Sequence, residues 1–218
     1  MLYALRQPAT FLGLVLGFVV GCGLRAALQQ AVIGGLRSIR RPHQHSLWLD
    51  PYGLVGALIG GVGWAPRPTV SRFKSRQVWT MVVVAVVVHA ALAAVGLGLY
   101  LVAGGVREAF DFVSTITVLH GTQFVAGDFL QRLALGFGIE NLACGILALF
   151  PIPPLELGVA LWSTLPKTPS SRRLAYRLLE EHWGILVVLV LLVLPLAGEF
   201  PLLLKLVGSI GDRILGAL

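Results

Sequence analysis

Residues 78–103 hold 26 positions without one charged side chain. As a helix rising 1.5 Å per residue, such a run spans about 39 Å, more than the roughly 30 Å hydrocarbon core of a bilayer. Residues 11–33 form a second run of 23 positions with a single charge, Arg25. A chain that is 56% hydrophobic, only 12% charged and +0.85 in mean hydropathy could not stay dispersed in water. The sequence predicts a single all-α integral membrane domain over residues 1–218. Its 26 glycines and 12 prolines fit, since membrane helices tolerate both better than soluble helices do. Cys22 and Cys144 each sit in an apolar run and give no disulfide framework.

The charges set the topology. Arg37, Arg40 and Arg41 form one group, Arg67, Arg72, Lys74 and Arg76 a second, and Lys167, Arg172, Arg173 and Arg177 a third. Together they are 11 of the 17 basic residues, and the positive-inside rule puts all three short loops in the cytoplasm. Residues 105–128 carry the opposite bias, with Arg107 against Glu108, Asp111 and Asp128, and are expected outside. Four spans then satisfy the sides: 11–33, 78–103, 133–165 broken at "PIPP", and 184–197. Residues 50–66 lie between two basic groups and are too short to cross and return, so they read as a re-entrant hairpin. Residues 200–218 read as an amphipathic tail helix on the membrane. Both termini are expected outside, in the cytoplasmic (inner) membrane of a bacterium. The net charge of +7 is neither gathered in one block nor interleaved with aromatics on a polar surface, which argues against nucleic acid as a partner.

Unwound backbone survives at membrane depth only where protein or a polar cavity surrounds it, so "ALFPIPPLELG" over residues 148–158 marks an interior site. Its Glu156 needs an answering group, because an ionised side chain at that depth costs about 2.5–3.5 kcal/mol on insertion scales. The possible metal donors are Cys22, His43, His45, His89, His120 and Glu156. His43 and His45 read as a solvated pair in a basic loop, and His89 as a neutral, hydrogen-bonded membrane histidine. Glu140 with Asn141 is a second polar point, for which a helix-packing hydrogen bond is the ordinary role. No Ser/His or Cys/His pair falls on one helix face, which leaves nucleophilic catalysis without a base.

The segment "ALFPIPPLELG" resembles the N-L-L-P-I-P-P-L-D-G-G signature of the site-2 protease family, intramembrane metalloproteases in which the aspartate binds zinc. "DPYG" at 50–53 looks like the family's D-P-x-G element, and "GVGWAPRPTVSRF" at 61–73 like its G-W-A-K-P-V-P-V-N segment. The resemblance covers most of the chain from Leu47 onward. The family's first helix carries H-E-x-x-H, with two histidine ligands and a glutamate base. This sequence has no such motif: Gly21 stands at one ligand position, Cys22 at the base, Arg25 at the other ligand, and Glu156 replaces the aspartate. Ala148 takes the place of the signature's asparagine, and the family's A-G-P-x-x-N motif becomes "AVVVHA" at 85–90.

The resemblance therefore implies the shape of a protease with its chemistry removed. Since Arg25 and Glu156 map to positions that point at one zinc ion, they are expected to converge as a buried ion pair, with no catalytic residue, cofactor or metal. The function implied is a pseudoprotease that binds or scaffolds a membrane partner, either another protein or a second copy of itself, within the lipid. The alternative is an active zinc metalloprotease with rearranged ligands. A partner's segment is expected to dock between the hairpin, at Gly53 to Gly63, and the broken helix, at Phe150, Pro151, Pro153 and Pro154.

Overall fold

The computed structural model describes residues 1–34, 50–65, 75–122, 126–166, 168–179, 181–195 and 198–218. His43, His45, Lys167 and most of the first two basic groups lie outside the described residues. Within those described, all regular structure is helical. A 3-10 turn at Leu2–Arg6 leads into α1 (Pro8–Gly34), followed by α2 (Pro51–Gly60) and α3 (Ser75–Val102). Two short helices, α4 (Ala109–Phe112) and α5 (Thr115–His120), precede α6 (Phe129–Ala148) and α7 (Glu156–Thr164). The chain ends in α8 (Pro169–Leu179), α9 (Trp183–Val193) and α10 (Leu202–Leu215). Pro8–Val32 and Ser75–Val102 are long and apolar enough to cross a membrane.

Glycines let α1, α3 and α6 pack backbone to backbone. On α1, a Cβ at Gly13 would lie 2.2 Å from the Leu133 carbonyl oxygen, and one at Gly17 would lie 3.0 Å from that of Phe137. The matched steps, 13 to 133 and 17 to 137, make α1 and α6 parallel. Gly96 of α3 meets Gly138 of α6, while His89 of α3 meets Gly145, so α3 runs antiparallel to both. Asp128 caps α6, accepting from the Gln131 backbone N–H at 2.8 Å, and Gln131 reaches back to the Asp128 N–H at 3.0 Å. The Gln131 amide also donates to the Ala103 carbonyl at 2.9 Å, which ties the start of α6 to the end of α3.

Residues 50–65 fold back on themselves. Asp50 caps α2, accepting from the N–H groups of Tyr52 at 2.9 Å and Gly53 at 3.4 Å, with Pro51 at the first helical position. Gly61, left-handed at φ 88°, ends the helix, and the chain returns to Trp64, whose indole N–H donates to the second Asp50 oxygen at 3.2 Å. One carboxylate thus joins the two ends of the hairpin.

The ends of the helices sort into two poles. Ser75, opening α3, meets Ser163, near the end of α7, at 3.3 Å, and Tyr52 of α2 faces His182 beside α9 with ring centroids 6.0 Å apart. The start of α3 with Arg76, the end of α7, α8 with Arg173 and Arg177, and the base of the hairpin therefore neighbour one another at one pole. At the other, α10 packs on α4 and α5, with Asp212 accepting from the Thr115 N–H at 2.6 Å.

One expectation needs correction. The fourth run is helical only over Trp183–Val193, 11 residues or about 17 Å, because Pro195 disfavours helical backbone at Leu194, which is extended at ψ 129°. The segment expected outside, residues 105–128, contains α4 and α5. The tail contains the amphipathic helix α10, which buries Leu203, Leu204, Val207 and Leu215 against the protein and exposes Leu206, Ile210 and Ile214.

Candidate functional site

Glu156 opens α7 immediately after the proline-rich break, and Arg25 sits two thirds of the way along α1. The guanidinium Nη1 of Arg25 forms an ion pair with Glu156 Oε1, and both side chains are buried, 3% and 11% exposed. The Nη2 group also approaches the Ala65 carbonyl at 3.4 Å. One arginine therefore links α1, the returning arm of the hairpin and the start of α7. Arginine suits this position because it stays charged and offers several donors in a fixed plane. Four residues on, Gln29 donates to the Met81 carbonyl of α3 at 3.0 Å, extending the polar seam.

Gly21 lies beside a second buried pair. The Asn141 amide donates to the Phe137 carbonyl at 3.0 Å, which leaves its oxygen to accept from Nδ1 of His89 at 3.1 Å. This arrangement assigns the proton to Nδ1 and leaves Nε2 as an acceptor with no partner among the described residues. A Cβ at Gly21 would sit 2.4 Å from the Asn141 oxygen and 2.9 Å from the His89 ring. No larger residue, and no histidine ligand, fits there without moving that pair. Cys22 beside it is buried and free of any disulfide.

No family model, curated protein or solved structure gives a match to this chain. What the site can do must therefore be read from its own atoms. Catalytic zinc requires three protein donors around an open position. Here Gly21 offers no side chain, Arg25 is a permanent cation, and the carboxylate of Glu156 already serves that cation. Zinc does not fit this donor set. Among the described residues no group of three or more His, Cys, Asp or Glu is arranged to hold a metal ion.

A third polar cluster was only half visible in the sequence. Glu140 is fully buried, and the Cys144 thiol lies 3.4 Å from its Oε1 and 3.7 Å from the Gly63 carbonyl, only one of which can take the proton at a time. Glu140 and Asn141 were legible as a polar point in an apolar helix. Their partners, Cys144 and His89, were not, because which helix faces meet is a tertiary fact.

The docking groove expected between Gly53 to Gly63 and Phe150 to Pro154 is closed. Gly53, Gly63, Pro153 and Pro154 are buried, Phe150 is half-buried, and only Pro151 is exposed. The two glycines face each other's strand of the hairpin: a Cβ at Gly53 would fall 2.0 Å from the Trp64 oxygen, and one at Gly63 would fall 2.1 Å from the Gly53 oxygen. The chain's own α9 covers the rest, with Gly184 against the Pro153 carbonyl and Leu192 against Gly60.

Proposed function

We propose that this chain is a non-catalytic, site-2-protease-like protein of a bacterial cytoplasmic membrane, which holds a membrane partner or a second copy of itself without cutting it. It crosses by α1, by α3, by the α6–α7 pair and by the stretch from α9 to α10, with α2 and its return arm as a re-entrant hairpin and both termini outside. The observation that carries this reading is the Arg25–Glu156 pair, which fills with a cation and its counter-charge the position where the resemblance calls for a metal. An active peptidase with rearranged ligands gains no support from the donor set. Because the groove is closed, partner contact is assigned to the exposed rim, at Tyr52, Val55 and Ile59 of α2 and at Pro151.

Two measurements test the proposal together. Elemental analysis of the purified protein is expected to find no stoichiometric zinc; zinc at one per chain, lost on Glu156→Ala, would replace the proposal with the peptidase. Photo-crosslinkers at Val55, Ile59 and Pro151 in native membranes are expected to trap a discrete protein band. Trapping of lipid alone would remove the scaffold role.

A further inference from the structure

Helix α8 connects α7 to α9 at the pole marked by the Ser75–Ser163 and Tyr52–His182 contacts, where Arg76 is exposed. Its N-terminus is fixed by Thr168, whose hydroxyl oxygen accepts the Ser171 N–H at 3.2 Å. At 100° per residue, the half-buried Ser171, Ala175, Leu178 and Leu179 share one face, turned inward toward α9. The outward side presents Arg173 and Arg177 one turn apart, flanked by Leu174 at 48% exposure and Tyr176 at 58%. Neither arginine forms an ion pair with a carboxylate among the described residues, and Glu181 is the one described acid nearby in sequence. Around the same pole Tyr52, Trp79, Leu165 and Trp183 are also exposed.

An aqueous face would favour the arginines but not the leucine and the aromatics. A hydrocarbon face would reverse that preference. The boundary of a bilayer accommodates both, since tyrosine and tryptophan settle at headgroup depth and arginines meet lipid phosphates. Charge decides which lipid: each basic residue near an anionic leaflet contributes about fivefold in partitioning, and zwitterionic headgroups offer no such gain. We propose that α8 is an interfacial helix whose Arg173 and Arg177 bind anionic phospholipid headgroups at the basic pole.

The test uses the full chain in lipid nanodiscs with a fluorescent label on a cysteine introduced at Ser170, beside the arginine face, or at Val87, on the exposed side of α3. Brominated lipids quench labels that they touch. The Ser170 label is expected to be quenched strongly in discs containing phosphatidylglycerol and weakly in phosphatidylcholine alone, and the difference is expected to vanish in an Arg173→Gln/Arg177→Gln variant. Equal quenching in both lipids would overturn the role of the anionic headgroup. No quenching at Ser170 while Val87 is quenched would place α8 in water and overturn the proposal, leaving membrane insertion intact. Absence of quenching at Val87 as well would overturn both.

Discussion

Arg25 and Glu156 are each expensive in an apolar interior and inexpensive together. Removing one partner leaves the other charge buried, so Arg25→Ala or Glu156→Ala should each destabilise by about 3–5 kcal/mol, whereas Arg25→Met with Glu156→Leu should recover much of that loss. Unfolding midpoints of the purified variants in detergent test this, and a double variant no better than the worse single one would mean that the pair is not the relevant interaction. Gly21 shows the other side of residue-scale reading. Its missing side chain counts in the resemblance as a lost ligand, yet the Asn141 oxygen 2.4 Å from its ideal Cβ makes glycine the requirement of a helix seam. One residue can satisfy both accounts, and the packing account holds whatever the chain's ancestry.

At the scale of elements, glycine position separates close contact from open space. Gly13→Ala should push α1 from the Leu133 carbonyl, and Gly53→Ala should push α2 from the Trp64 carbonyl, each costing roughly 1–3 kcal/mol in thermal or denaturant unfolding. Gly98, on the same kind of helix but with nothing within 4 Å of its ideal Cβ, should instead gain up to about 1 kcal/mol as alanine. A destabilising Gly98→Ala would show that a surface absent from the isolated chain covers it. Elements with a local cause were legible in the sequence: the break at "PIPP" follows from prolines that cannot continue α6. Elements held by distant contacts were not. The short helices α4 and α5 lack a strong pattern of their own and rest on α10, where Asp212 binds the start of α5. The groove was illegible for a related reason: which segment lies beside the hairpin and the break is a tertiary fact, and here it is the chain's own α9.

Across the whole molecule, the two poles turn a charge argument into a geometric one. The positive-inside rule treats each loop separately, but the Ser75–Ser163 and Tyr52–His182 contacts bring the ends of α2, α3, α7 and α9 to one side independently of any rule about charge. A single membrane plane can then hold the long helices with the described Arg76, Arg173 and Arg177 toward one face and α4, α5 and α10 toward the other. If that face is cytoplasmic, a cysteine at the exposed Ser170 should resist a membrane-impermeant thiol reagent in intact cells and react once the membrane is permeabilised. One at the exposed Thr122 should react in both conditions. The native thiols do not interfere, because Cys22 and Cys144 are 1% and 4% exposed. The hairpin adds a stricter demand. Since Asp50 binds the Trp64 indole, residues 50 and 64 lie side by side, and on the re-entrant reading a cysteine at Ser75, eleven positions beyond Trp64, is expected to be protected together with one at Ser170. Labelling of Ser75 from outside, with Ser170 protected, would require the 50–66 segment to cross, which an indole bonded to its own helix cap does not allow.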